Sequence, residues 1–534
     1  MTPHLACKDL SVRFYEAANH TLRNLSLSIQ PGEKVLLLGP SGCGKSTLLS
    51  VLSGIIPSAI EAEMSGTVTR PASVGVMFQD PDAQFCMLTV GDEIAFSLEN
   101  RCIPREDMDA RIEQAMAQAG LFVPKHTQIE TLSGGMKQRL ALACLLALEA
   151  DVLFFDEPTA QLDPQGRRDV FAQLQSIAQS GVTMVFVEHV LDGLIEWMDR
   201  VILLDANGQL IGEGTPSEVL LRYKKEMEQA GIWQPRLFPY TMDEIVAADD
   251  HPLTADWKHA LHCTKERADT YHKRSGHKDI YQAENLSLGY GSKPVLDAIS
   301  FSIKEGEWTA LIGENGAGKS TLLQALAGLA KGKRGTLHFM DRPIHAWPAR
   351  KLYEHIGFVF QNPELQFVTD RVYDEIAFGG HQRGIDESVL HNKTMRLLHE
   401  FALEAHRDAH PFTLSQGQKR RLSVATMLLF DQEVLLLDEP TFGQDAATSA
   451  QLLARLAQRK EDGTSIVMVT HDMELVDRYA DRVLWIADGA IRFDGTPYDL
   501  FTSSLPLPGL VRPIAYEWKR RRLHEQQHIA PGAH

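Results

Sequence analysis

Two stretches of this sequence have the composition and spacing of a phosphate cradle: GPSGCGKST over 39–47 and GENGAGKST over 313–321. In each, an apolar strand pattern (KVLLL; TALI) runs into GxxxxGK[ST] and then into a helical pattern, the context this motif requires. The cradle residues are Gly39, Ser41, Gly42, Cys43, Gly44, Lys45, Ser46 and Thr47, and Gly313, Asn315, Gly316, Ala317, Gly318, Lys319, Ser320 and Thr321. Glycines let backbone N–H groups crowd around phosphate oxygens, Lys45 and Lys319 reach the outer phosphates, and Ser46 and Ser320 are placed to ligate Mg²⁺. A helix N-terminus adds roughly 0.3–1 kcal/mol for an exposed anion, so lysine and metal must do most of the holding.

A second acidic element follows each cradle. The apolar strands VLFF and VLLL end in Asp156-Glu157 and Asp438-Glu439, and Pro158 and Pro440 stop the strand there. Both carboxylates of a pair are then expected at the strand's carboxyl end, where open α/β sheets bind ligands. Asp156 and Asp438 would serve Mg²⁺, and Glu157 and Glu439 would polarise an attacking water.

The chain repeats itself. The cradles are offset by 274 residues, whereas FQDPDAQF and FQNPELQF, LSGGMKQR and LSQGQKRR, LFFDEPT and LLLDEPT, and His189 and His471 are all offset by 282. Two similar α/β domains are expected, over 1–223 and 279–501, joined by a linker with terminal helices of the first domain over 224–278. The linker mixes charges of both signs with scattered aromatics and reads without sustained periodicity. The tail over 502–534, with its run KRRR, is expected to be a solvated end.

Composition narrows the function classes. The 534 residues include 23% charged and 44% hydrophobic ones, an ordinary globular balance. The net charge of −17 argues against unaided binding to a nucleic-acid backbone. Six cysteines without a CxxC pair give neither a disulfide framework nor a zinc site. The start lacks the basic and apolar regions of a signal peptide, and nowhere do 18 apolar residues run without a charge, so a membrane role would need a partner.

LSGGMKQ and LSQGQKR lie 24 residues before the strand-end Asp, and His189 and His471 lie 33 residues after it. With the cradles and glutamine segments, these resemble the ordered motifs of ABC ATPases, over nearly the whole chain outside linker and tail. The resemblance implies two tandem P-loop NTPase domains, each a RecA-like core with a helical signature subdomain, hydrolysing ATP with Mg²⁺. It implies intramolecular head-to-tail pairing in which Ser133 and Gly135, and Ser415 and Gly417, complete the opposite domain's ATP site. Gln79 and Gln361 resemble the glutamine that senses Mg²⁺ and the attacking water; His189 and His471 the histidine that contacts the γ-phosphate; Asp163 and Asp445 the D-loop aspartate. Phe14 and Tyr290 resemble the adenine-stacking aromatic, with Tyr15 a rival to Phe14.

The halves differ where asymmetry would arise. Gln416 replaces a signature glycine, and Glu188 precedes His189 where Thr470 precedes His471, so two hydrolytic sites of unequal rate are expected, the slower at Lys45. Cys43, inside the cradle, is expected to react with thiol reagents and to be protected by ATP.

The stretches FQDPDAQFCMLTVGDEIAF and FQNPELQFVTDRVYDEIAFG resemble energy-coupling-factor (ECF) importer ATPases, in which this region receives coupling helices of a membrane protein. Phe85, Phe96, Phe367, Phe378, the acids Asp92, Glu93, Asp374 and Glu375, and Gln84 and Gln366 are the expected groove residues. The resemblance implies a peripheral subunit on the cytoplasmic face of the cell membrane, partnered by a transmembrane scaffold and a membrane-embedded substrate-binding subunit. The fused arrangement and GIWQP over 231–235 resemble importers of thiamine or its hydroxymethylpyrimidine precursor. Alternatives are a cobalt, nickel or sugar importer ATPase and, from another class, a ribosome-associated ABC translation factor. The mixed charge of 224–278 disfavours the ribosome, and the constant 53-residue step from glutamine to signature leaves no room for DNA-repair coiled coils.

Overall fold

The structure is a computed structural model that describes residues 4–15, 19–160, 162–248, 250–273, 278–289 and 293–529, with side chains to 525. It divides into two units, one over 1–239 with 445–447 and one over 240–444 with 448–534.

In the first unit a six-stranded sheet runs in the order Val74–Met77, Val152–Asp156, Thr183–Val187, Lys34–Leu38, Arg200–Leu204, Leu210–Gly214. The first five strands are parallel and the last is antiparallel. Parallel strands buried on both faces read as unbroken apolar runs, which is why KVLLL and VLFF lack alternation. Side-chain direction still alternates. Val35, Leu37, Phe154 and Val187 face one core, shared with Leu48 and Leu52 of the helix Lys45–Ser53 and with the antiparallel sheet that holds Leu5 and Leu25. Leu36, Leu38, Phe155 and Phe186 face the other core, filled by Leu140 and Ala143 of the helix Gly134–Ala147. Phe155 and Phe186 stack with centroids 4.6 Å apart.

The second unit repeats the order with Ile356–Val359, Val434–Asp438, Ser465–Val469, Trp308–Ile312, Arg482–Ala487 and Ala490–Gly495. In the first unit the helix Gly134–Ala147 is followed by the strand Val152–Asp156.

The linker and tail differ from expectation. The linker residues from Tyr240 onward belong to the second unit, and they include the helices Met242–Ala247 and Pro252–Lys273. In the longer helix Thr254, Trp257, Leu261, Thr264 and Ala268 are buried. That three-four spacing is a helical stripe; two threonines and an alanine kept it from reading as apolar. The tail is not a solvated end. It forms the helix Ile514–Ile529, which buries Ala515, Tyr516 and Trp518, with Trp518 6.0 Å from Trp257 between ring centroids. Its basic run is partly spent within the unit, since Arg521 pairs with Asp243 at 2.8 Å and Arg522 lies over the Trp518 ring.

Among the described residues, no helix is long and apolar enough to cross a membrane. The six cysteines are free.

Candidate nucleotide-hydrolysis sites

Each cradle leaves a central strand and turns into a helix through glycines at positive φ. Gly44 (φ 99°) caps the helix Lys45–Ser53, and a Cβ there would lie 2.9 Å from Leu22 Cδ2, so both conformation and space select glycine. Gly318 (φ 102°) caps Lys319–Leu326 in the same way. The ammonium groups of both lysines curl into the loops: Lys45 donates to the carbonyls of Gly39 and Pro40 at 2.8 and 3.0 Å, Lys319 to those of Gly313 and Glu314 at 2.9 and 2.8 Å.

Beside each cradle, the strand-end aspartate meets the serine that follows the lysine. Ser46 donates to Asp156 Oδ1 at 3.0 Å, and Ser320 bonds to Asp438. Burial pushes the Asp156 carboxyl up to about 6, against the Ser46 hydrogen bond and with the nearby charge of Glu157. Asp438 is shifted the same way by burial.

The next residue carries the strain that both halves share. Glu157 and Glu439 have φ of 48° and 49°, a left-handed conformation that costs a non-glycine residue about 1–3 kcal/mol and clusters at functional sites. Their N–H groups are held by Val187 O at 2.8 Å and Val469 O at 3.0 Å. This turn, rather than the proline alone, lets neighbouring carboxylates serve one site. Gln79 Nε2 donates to Glu157 Oε2 at 2.7 Å, and His189 Nε2 lies 3.0 Å from Glu157 Oε1. In the second unit His471 Nε2 lies 3.4 Å from Glu439 Oε1. Burial disfavours a charged His189, but the hydrogen bond and charge of Glu157 more than offset it, so its pKa is raised. Glu439 is raised strongly, first by burial and then by the charge of Asp438.

The donor set fits a divalent cation shared with phosphates. Asp438 Oδ1 is a buried oxygen without a hydrogen-bond partner among the described residues, and Asp438 stands beside the Ser320 hydroxyl. Mg²⁺ is usually held by one or two carboxylates plus substrate phosphates, so no larger acidic cage is needed.

The remaining site residues are placed as follows. Ser133 and Ser415 cap the helices Gly134–Ala147 and Gln416–Met427, so Gln416 sits in the first turn at a position that tolerates a side chain. Asp163 caps Pro164–Ala178, and Asp445 directly precedes Ala446–Glu461. Phe14 is half-buried and Tyr15 exposed; Tyr290 lies outside the described residues. Cys43 departs from expectation. It is 2% exposed, and burial raises its thiol, so the sulfur is a packing atom rather than a reactive one.

The proposed groove also needs correction. Glu93 and Glu375 face inward: Glu93 accepts from the N–H groups of Cys86 and Met87 at 2.9 and 2.7 Å, Glu375 from those of Val368 and Thr369 at 3.0 and 2.8 Å. Gln366 spends its amide on Ser423 and Thr426 of the signature helix. Phe367 is buried, while Phe378, Leu88, Leu365 and Val368 are exposed. Sequence reasoning missed the tie between this segment and the signature helix, Lys137 to Asp82 at 2.7 Å and Lys419 to Glu364 at 2.5 Å. Both pairs keep the 282-residue offset, the signal that could have found them.

Comparisons with known proteins give the family. The family model described as ABC transporter matches residues 22–160 and 296–442. The chain is 41% identical over 542 residues to the "Putative HMP/thiamine import ATP-binding protein YkoD" of Bacillus subtilis, covering 96% of each. It is 34% identical to a "Putative ABC transporter ATP-binding protein" of Streptococcus mutans, covering 94% of this chain and 92% of the relative. Among solved structures, cbiO1 of Clostridium perfringens, described as part of the ABC transporter complex cbiONQ, matches at 33% identity. That match has a TM-score of 0.39 and covers 42% of this chain and 92% of cbiO1. The chain belongs to the ABC transporter family. It is a tandem ABC ATPase, an enzyme that binds ATP and couples its hydrolysis to transport.

Proposed function

We propose that this chain is the energy-coupling ATPase of an ECF-type importer for a vitamin, thiamine or its hydroxymethylpyrimidine precursor. The observation that carries the reading is the likeness to the HMP/thiamine import ATP-binding protein across 96% of both chains, both ATPase halves included. Supporting it are the FQxPxxQF segments and the exposed apolar side chains that follow them.

In this reading Lys45 and Lys319 neutralise the outer phosphates of ATP, and the cradle N–H groups hold the rest. Ser46, Asp156 and Gln79, and Ser320, Asp438 and Gln361, would hold Mg²⁺, which supplies charge neutralisation on the phosphates. Glu157 and Glu439 accept the proton of the attacking water. Gln79 orients Glu157 at 2.7 Å, and His189 stands 3.0 Å away, where it can contact the γ-phosphate. A transmembrane scaffold and a membrane-embedded binding subunit complete the transporter, and the chain sits on the cytoplasmic membrane face.

The test is to isolate the chain from detergent-solubilised membranes and identify what copurifies by mass spectrometry. Two small integral proteins, one with a bound thiamine-like vitamin, are expected. Copurification with ribosomes, or with a permease pair and a soluble solute-binding protein, would overturn the importer type and leave the ATPase.

A further inference from the structure

The two candidate centres differ by one buried ionisable side chain each, Glu188 in the first and Arg420 in the second. In the first unit Glu188, 3% exposed, follows the strand Thr183–Val187 and precedes His189. Its Oε1 accepts from Thr159 N at 3.2 Å and from the Thr159 hydroxyl; its Oε2 accepts from His189 N at 2.8 Å and Val190 N at 3.4 Å. One carboxylate thus ties the loop carrying His189 to the turn that follows Glu157. Four converging donors suit an acceptor-only group. Among the described residues, the corresponding Thr470 hydroxyl accepts from Asp472 N, at 3.1 Å, within its own loop.

The second unit has its own device. Arg420, 4% exposed on the helix Gln416–Met427, donates to Phe360 O at 2.6 Å and to Gln361 O. It therefore pins the backbone of the glutamine segment, and its charge acts on both Asp438 and Glu439 in favour of their ionised forms. Its counterpart Gln138 is fully buried, and neither amide atom has a hydrogen-bond partner among the described residues.

We propose that Glu188 and Arg420 are positioning residues, one for each centre: Glu188 locks the His189 loop onto the Glu157 turn, and Arg420 locks the Gln361 segment beside Asp438 and Glu439. Neither touches the cradle. Both act on groups needed for hydrolysis, so their loss falls on kcat rather than on ATP binding. The inference rests on Glu157 and Glu439 being the bases.

Mg-ATP hydrolysis by the full chain tests it, with Glu188→Thr and Arg420→Gln each importing the other domain's residue. Glu188→Thr is read in the parent and in Glu439→Gln, Arg420→Gln in the parent and in Glu157→Gln. The expected result is a kcat loss of about threefold or more with KM for ATP moved less than about twofold. A glutamate background that retains turnover reports the remaining centre alone; one that has lost it shows that both centres must work, and the parent then reports the loss. Unchanged kcat, or a shift confined to KM, would overturn the proposal. Glutamate variants that hydrolyse ATP at the parental rate would instead overturn the assignment of the bases. If an exchanged chain does not fold, Glu188→Gln and Arg420→Lys, which keep shape and either one acceptor or the charge, take its place; kcat at the parental level for Glu188→Gln, or no advantage of Arg420→Lys over Arg420→Ala, would overturn it equally.

Discussion

Gln79 Nε2 and Glu157 Oε2 are 2.7 Å apart, joining the end of the strand Val74–Met77 to the end of its neighbour Val152–Asp156. The contact explains why a glutamine lies just beyond that edge strand. Its amide donates to the carboxylate that we propose receives the water's proton. Replacing Glu157 or Glu439 by Gln should therefore remove a general base worth about 10²–10⁴-fold. We expect unequal losses from the two changes, because Gln79 and His189 bracket Glu157 whereas Glu439 is more deeply buried beside Arg420. Steady-state ATPase assays of the single variants check this, and equal losses would remove the asymmetry.

The cradle lysines make a second prediction that separates binding from chemistry. Lys45 and Lys319 each satisfy two carbonyls of their own loop, so the loops remain braced for phosphate. Lys45→Ala should weaken ATP at its own site by about 10- to 100-fold, the scale of a charged hydrogen bond of about 1.5–3 kcal/mol. Titration with a fluorescent ATP analogue should show one tight site left per chain. Two tight sites would show that the loop N–H groups suffice.

Much of the catalytic geometry was legible because it is local. Cradle, strand end and switch histidine lie at the ends of adjacent parallel strands, and each motif names its own position on that sheet. What escaped the sequence was set by tertiary packing. Glu93 and Glu375 look like an acidic surface pair but turn inward to close a backbone turn. Cys43 lies in a phosphate loop yet points into the core. The helix Pro252–Lys273 hid its stripe because Thr254, Thr264 and Ala268 fill buried positions without being strongly apolar. The tail's charges concealed Tyr516 and Trp518, which bury one face while the arginines remain partly in water.

That tail carries a prediction of its own. Tyr516 donates to Asp477 Oδ1 at 2.8 Å, Arg267 donates to Arg478 O at 2.8 Å, and Ile514 N donates to Glu474 Oε1 at 2.8 Å. All three contacts clamp the helix Met473–Tyr479, which starts two residues after His471. Tyr516→Phe leaves a buried acceptor without its donor and should cost about 1–3 kcal/mol. Burial raises the Asp477 carboxyl above its ordinary value, against the Tyr516 hydrogen bond. The folded chain then binds more protons than the unfolded one above the ordinary aspartate value of about 3.9, so stability falls as pH rises through that window. Asp477→Asn lacks this term. Thermal melts of parent and Asp477→Asn should diverge in the variant's favour as pH rises from about 4, then run parallel above the raised folded value. A constant difference from pH 4 to 8 would show that the carboxyl is not shifted.

The partner surface can be separated from the fold by contrasting residues in one segment. Leu88, nine residues beyond Gln79 in sequence, is 77% exposed and Leu365, four beyond Gln361, is 71% exposed, whereas Glu93 is 5% exposed and holds two N–H groups. Leu88→Asp and Leu365→Asp add charge where water already reaches, so each should change unfolding free energy by no more than about 0.5 kcal/mol. Glu93→Ala removes a buried carboxylate that accepts from two N–H groups of the turn and should cost about 1–3 kcal/mol. If these leucines receive an amphipathic helix, the Asp variants should stay folded yet lose the membrane fraction in detergent-free flotation of cell extracts. Glu93→Ala, which removes the buried acceptor of the turn, should lose both stability and flotation. Flotation at the parental level in Leu88→Asp and Leu365→Asp would move the docking surface elsewhere on the chain.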